Sequence, residues 1–445
     1  MPTLSKPKLS KPVLSRPKLS MPSLNLSLSH RSGAKVVGLD IQPGHVTAVQ
    51  AHVNGSIVAE RAAALALPAD TVREGEVLDE DVLAETLREL FRENSLSKRV
   101  RIGVANQRTV LRTLELPPVT DRKELATAVR FEAQEQVPMP LSNAVLDFHP
   151  LGIHDTPAGP RQQVVLVAAQ RDMIQRLLAA VRAAGLRPEG VDLSAFALIR
   201  SLYRHDAAHD GRVLYLNVDG LTNMAIAEGA VCRFTRVVGG GLEAMAGELA
   251  ERRGEAVTDA RALLAAADLT VPVAPPAESA VSDPADPTAF SEQQNPAAGA
   301  DHESSTTDPD SPATSYGESL EDSLSASESF AALAAQAPSP VSADVAASDA
   351  DVRVVLENGI REIAGEVRNS LDFHRSQEGG GEVATVVLSG AALDVPGFSD
   401  ALEAELRVPL TLETVGVTDG AVTGAPVSSQ RLAIATGLSV EEAPR

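Results

Sequence analysis

Two stretches of this chain share one plan, and few folds accommodate both. The first is Val36-Val37-Gly38-Leu39-Asp40-Ile41-Gln42-Pro43-Gly44-His45-Val46-Thr47-Ala48-Val49. It reads as an apolar strand ending near an acid, a tight turn and a second strand, with Val, Ile and Thr flanking the turn as a β-hairpin requires. The second is residues 213–218 running into Asn217-Val218-Asp219-Gly220-Leu221-Thr222-Asn223, continued as a meander over 224–227 and 231–238. A carboxylate beside a turn of exposed backbone N–H groups can hold a metal and a phosphate together. Asp and Asn also serve hairpin turns for their own local hydrogen bonds. The recurrence about 180 residues apart points to duplicated halves with a cleft between them.

The segments between the hairpins alternate strand and helix, which indicates an α/β fold and not a sandwich. A third strand is expected over 56–65 and a helix from Asp79 or Glu80, with Val82, Leu83, Thr86, Leu87, Leu90 and Phe91 on one face. Strands follow at 100–105 and 110–116. A helix at 121–136 is capped by Asp121 and stopped by Val137-Pro138. Strands at 144–151 and 163–170 and a helix at 171–184 complete an inserted α+β block. After the second meander come Gly239-Gly240-Gly241, a helix at 242–253, a helix at 352–375, a strand at 383–388, a helix at 396–406, a strand at 410–415 and a closing helix at 428–438.

These elements divide the chain into a basic tail (1–33), a first lobe (34–107), the insert (108–190), a return helix (191–212), a second lobe (213–270 and 351–438), an acidic insertion (271–350) and a short tail (439–445). The leading tail repeats a basic residue, Pro and Leu-Ser, as in Lys6-Pro7-Lys8-Leu9-Ser10 and Arg16-Pro17-Lys18-Leu19-Ser20, and carries no acid. Such a segment favours an extended, solvated chain and could rest on anionic lipid. The acidic insertion holds no Lys or Arg and reads as an unfolded spacer with a weak helix at 327–335.

Composition narrows the function. Cys232 is the single cysteine among 445 residues, which excludes a disulfide framework and a Cys-rich metal site and fits a reducing cytoplasm. A net charge of −21 argues against a nucleic-acid partner. No apolar run reaches the ~20 residues a spanning helix needs. The histidines show no zinc spacing.

Several motifs together resemble the PilM family of type IV pilus assembly proteins, members of the actin-like ATPase fold related to the cell-division protein FtsA. They are Gly38-Leu39-Asp40-Ile41, Leu114-Glu115-Leu116-Pro117, Ala128-Val129-Arg130-Phe131-Glu132-Ala133-Gln134-Glu135-Gln136-Val137-Pro138 with Leu146-Asp147-Phe148, Phe234 through Gly240, Glu362 through Phe373, Leu388-Ser389-Gly390 and Thr436-Gly437-Leu438. The resemblance implies a two-lobed α/β fold with duplicated sheet-and-helix cores and an inserted small α+β subdomain. It also implies ATP with Mg²⁺ between the lobes, and a partner peptide from a PilN-like bitopic inner-membrane protein, linking pilus motor ATPases to the membrane.

On that resemblance the nucleotide would meet Asp40, Gln42, Gly44, His45, Val46 and Thr47 in the first hairpin and Asn217, Asp219, Gly220 and Asn223 in the second. Gly239, Gly240, Ser389, Gly390 and Ala391 would complete the site, with Mg²⁺ held through Asp40 and Asp219. The peptide groove would involve Leu125, Val129, Glu132 and Ala133. The hairpins depart from the family pattern. Gln42-Pro43 replaces Gly-Ser, and proline removes a donor. Asn217 stands for Asp, Asp219 for Gly, and Ala391 for the second Gly of the adenosine motif. These changes weaken ATP and Mg²⁺ binding, and no residue is assigned a catalytic role. The expectation is a cytoplasmic adaptor at the inner face of the membrane; the alternatives are an active ATPase or kinase of the same fold, or an FtsA-like filament protein.

Overall fold

The computed structural model describes residues 35–441 apart from 55, 158, 205–210, 272–339, 378 and 424–426. The basic tail, most of the acidic insertion and the expected helix at 327–335 therefore lie outside the described residues.

The chain opens with β1 (Val37–Gln42), β2 (His45–Asn54) and β3 (Ser56–Ala66). A short ribbon, β4 (Val72–Arg73) with β5 (Glu76–Val77), leads to α1 (Glu80–Glu93) and β6 (Arg99–Val104). A small unit follows, made of β7 (Val110–Leu116), α2 (Arg122–Gln136), β8 (Ala144–Thr156) and β9 (Gly159–Gln170). The chain returns through α3 (Arg171–Ala183), β10 (Arg187–Leu193) and α4 (Ser194–Leu202). The second half runs β11 (Arg212–Val218), β12 (Thr222–Glu228), β13 (Val231–Val238), α5 (Leu242–Arg253), α6 (Val257–Ala266) and α7 (Pro340–Ser376). It ends with β14 (Thr385–Ser389), α8 (Phe398–Leu406), β15 (Leu410–Leu412), β16 (Gly416–Val417) and α9 (Ala433–Ser439).

Two large sheets carry the two halves. Their orders are β10-β6-β1-β2-β3-β16 and β13-β12-β11-β14-β15. In each, the hairpin strand pairs antiparallel with its successor on one side and parallel with a crossover strand on the other. The duplication expected from two hairpins is thus a duplication of whole sheets. One face of the first sheet packs on α1 and α3; one face of the second packs on α5, α7 and α8. The opposite faces turn toward each other across α4 and α9, which join the lobes.

That seam depends on two close approaches. A Cβ on Gly38 would stand 1.8 Å from the Ala435 carbonyl oxygen, and one on Gly437 would stand 1.8 Å from that of Ala197. Only glycine lets α9 lie directly on β1 and α4. Arg200 Nε then donates to the Gly437 carbonyl at 2.9 Å, and Arg101 Nη1 to those of Leu438 and Val440 at 3.1 and 2.8 Å.

Side-chain caps set the starts of α1 and α2. Asp79 Oδ1 accepts from Asp81 N at 3.1 Å and Val82 N at 2.9 Å, and Asp121 caps α2 likewise. Asp79→Ala is expected to lower stability by about 1 kcal/mol, read as a reduced urea midpoint.

Three expectations are corrected by packing. The helix assigned to the insert, α3, buries Met173, Ile174, Leu177 and Val181 in the first-lobe core against α1, and β10 belongs to the first sheet. Structurally the insert is the β7-β9-β8 sheet with α2. Leu125, Val129 and Ala133 are 0–4% exposed beneath that sheet and form no groove wall, because the apolar stripe of α2 is consumed by the insert's own core. Glu132 stays half-buried at its edge. Third, α7 begins at Pro340, inside the stretch expected to remain an unfolded spacer. Cys232 lies buried in β13, where desolvation pushes its thiol up to about 12. Among the described residues no helix is long and apolar enough to cross a membrane.

Candidate functional site

β1 ends with Asp40 and Gln42, and β11 with Asn217. Residues opposed on neighbouring strands share a face, so Asp40 lies beside Thr47, while Asn217 lies beside Asn223 and Ser389. All five are at most 3% exposed. The strands deliver them to the hairpin end of the two inner faces, where the lobes meet.

Gln42 Nε2 donates to the two carboxylate oxygens of Asp40 in a forked contact, at 3.1 and 3.2 Å. Burial pushes the Asp40 carboxyl up to about 7, the nearby Asp219 charge adds to this, and the Gln42 amide opposes it. Gln42 Oε1 reaches the other lobe, accepting from Leu221 N at 3.4 Å. His45 Nε2 lies 3.5 Å from Asp219 Oδ1 without a hydrogen bond to it, while Asp219 Oδ1 accepts from Gly220 N at 2.8 Å. Desolvation is the largest influence on His45 and pushes it down, with the Asp219 carboxylate opposing.

The turns themselves touch. Gly44 takes a φ of +91° after Pro43, a conformation glycine accepts freely. Pro43 then directs its carbonyl at Gly220, where a Cβ would stand 2.3 Å from the oxygen. Two hairpins that share a phosphate need a gap between their backbone N–H groups; here backbone fills it. Mg²⁺ also needs ionised, accessible carboxylates, whereas Asp40 is buried with its oxygens tied to an amide. The neighbouring cations are committed: Arg261 to Glu243 and the Leu67 carbonyl, and Arg431 to Asp394 at 3.1 Å. The residues present do not fit a magnesium-bound triphosphate between the turns.

The contact splits the inter-lobe space in two. A cavity of about 480 Å³ is lined by Gly44, His45, Gly220, Ala262, Ala265 and Ala391, among others. A second, of about 600 Å³, is lined by Gln107, Asn223, Arg236, Gly239, Gly240 and Glu362. The residues predicted for one nucleotide are therefore dispersed. Gly44, His45, Asp219, Gly220 and Ala391 gather at the first cavity; Asn223, Gly239 and Gly240 at the second. Asp40, Gln42, Thr47, Asn217 and Ser389 are sealed at the contact, with Asn217 Nδ2 donating to Ser389 Oγ at 3.1 Å. Val46 is first-lobe core, and Gly390 lets the chain pass the Val218 carbonyl. The Arg261–Glu243 pair, which ties the second lobe to Leu67, was not foreseen; nothing in the sequence signalled α6 strongly enough to bring Arg261 here.

Residues 38–218 match the model of the family described as type IV pilus assembly protein PilM. Among solved structures, the chain is similar to one described as a PilM–PilN type IV pilus biogenesis complex, at 20% identity and a TM-score of 0.61, covering 91% of this chain and 98% of that one. Looser likenesses are the ethanolamine utilization protein EutJ from Carboxydothermus hydrogenoformans (12% identity, TM-score 0.42, 91% and 88% covered) and ADP-bound MreB5 of Spiroplasma citri (10%, 0.40, 91% and 95%). Residues 38–218 are thus similar to the family of the type IV pilus assembly protein PilM, and the fold over 91% of the chain is similar to that of the PilM–PilN complex structure.

Proposed function

We propose that the chain is an adaptor of type IV pilus assembly that works at the inner face of the cytoplasmic membrane. It captures the cytoplasmic N-terminal peptide of a PilN-like membrane protein and so links that platform to the pilus motors. Its hairpins hold the lobes together in place of ATP. The observation that carries the second half is the Pro43–Gly220 contact, bridged by Gln42 and flanked by His45, in the position where a phosphate would lie. Support for the first half is the family match, which spans the insert. Peptide capture falls to the outer surface of the insert, where Phe131 is 70% exposed, since the inner stripe of α2 is already packed.

Calorimetry on the full chain tests both halves. A synthetic PilN-type N-terminal peptide is expected to give saturable heat, and ATP with Mg²⁺ none, with no phosphate released. Steady phosphate release would favour an ATPase, and absence of peptide heat would remove the adaptor role.

A further inference from the structure

The larger inter-lobe cavity, about 600 Å³, has a chemistry separate from the hairpin contact. Three carboxylates line it, Glu74, Glu362 and Glu366. Among the described residues its one guanidinium is that of Arg236, which is bound to Glu366 at 2.6 Å and to Ser370 Oγ at 3.3 Å. Glu74 and Glu362 form no ion pair among the described residues, so the cavity carries surplus negative charge. Asn223 adds a second requirement. It is 1% exposed, and neither its Oδ1 nor its Nδ2 has a partner. A buried amide left in that state costs roughly 1–3 kcal/mol, and the group that relieves it must both donate and accept, as a peptide unit does. Gly239 and Gly240 keep the wall open: Cβ atoms there would stand 3.3 Å from Gln107 Nε2 and 3.6 Å from Glu362 Oε1.

A peptide segment carrying an ammonium or guanidinium group satisfies both requirements. In a chain of net charge −21, the stretch with that chemistry is its own tail, Lys6-Pro7-Lys8 through Arg16-Pro17-Lys18, which holds no acid and lies outside the described residues. Reach is ample. The tail rejoins at Lys35, and the six residues of β1 put the hairpin end ~20 Å away at ~3.3 Å per residue. The segment from Lys18 to Lys35 spans up to ~56 Å when extended. Proline at each repeat pre-extends the chain and lowers the ordering entropy of docking.

We propose that this cavity is a docking site for the basic tail of the same chain, a Lys or Arg side chain entering between Glu74 and Glu362 while Asn223 bonds a peptide unit of the tail. The site does not depend on capture of a PilN-like peptide.

Carbodiimide coupling of the full chain, mapped by mass spectrometry, tests it. Links are expected from Lys6, Lys8, Lys11 or Lys18 to Glu74 or Glu362, with a yield unchanged on dilution and lost in ~0.5 M salt, where charges are screened beyond a few ångströms. Asn223→Leu, which leaves every carboxylate in place, is expected to cut these links several-fold. Glu362→Gln, on an exposed position of α7, shifts the remaining coupling to Glu74. Coupling of the tail lysines only to carboxylates within 272–339, coupling that falls on dilution, or no coupling at all in the unsubstituted chain would each overturn the proposal.

Discussion

Asn in place of Asp40 is expected to raise stability near pH 8 by on the order of 2–4 kcal/mol and to leave it nearly unchanged near pH 4. The carboxyl of Asp40 is pushed from its ordinary 3.8 up to about 7, by burial first and by the Asp219 charge second. Between those values the folded chain keeps a proton that the unfolded chain has released. Stability therefore falls as pH rises through that window and levels off above it. Asparagine has the same shape and cannot ionise, and its amide oxygen still accepts from Gln42. Urea denaturation of both chains at the two pH values checks this. Equal stability near pH 8 would mean that the charge is solvated or countered, and the reading of a sealed, metal-free contact would fail with it.

Gly437→Ala is expected to cost about 3 kcal/mol or more, because overpacking against backbone has no flexible side chain to absorb it. The new methyl would stand 1.8 Å from the Ala197 carbonyl oxygen and 2.5 Å from its carbon. To relieve that, α9 must leave α4, and the seam between the lobes opens. Gly365→Ala on α7 is the matched control. Nothing lies within 4 Å of its Cβ position, so helix propensity should make that change neutral or stabilising by up to ~1 kcal/mol. Thermal melts of the two variants should diverge widely; similar melting points would show that α9 does not bear on α4 as described.

What the sequence revealed were features decided within a few residues. The two hairpins were readable from Asp40 and Asp219 with their flanking β-branched residues, and α1 from its stripe and its Asp79 cap. Elements whose partner lies far away were harder. β10 is Arg187-Pro188-Glu189-Gly190-Val191-Asp192-Leu193, too polar to announce a strand; it exists because β6 offers it a parallel ladder. α6 buries only Ala260 and Leu264, a stripe too thin to register. The stripes of α2 and α3 were both visible, but a stripe does not say what it faces. The same limit applies at the site. The altered residues at 42, 43 and 219 were plain in the sequence, but their consequence, two turns in contact, depends on how two separately folded sheets meet. The unmet hydrogen bonds of Asn223 follow from that same meeting.

The placement of α9 and β16 has a consequence for how the protein is made. A ribosome completes residues 37–104 early, but that sheet receives its outer strand from 416–417 and its covering helix from 433–439. The first-made half must therefore wait, with an apolar slot open beside Gly38, until residues 416–439 have emerged. Such long-range closure slows folding and exposes sticky surface in the interval. A nascent chain stalled before residue 433 should be a strong client for chaperones, while release of the last turn should let both halves close almost together.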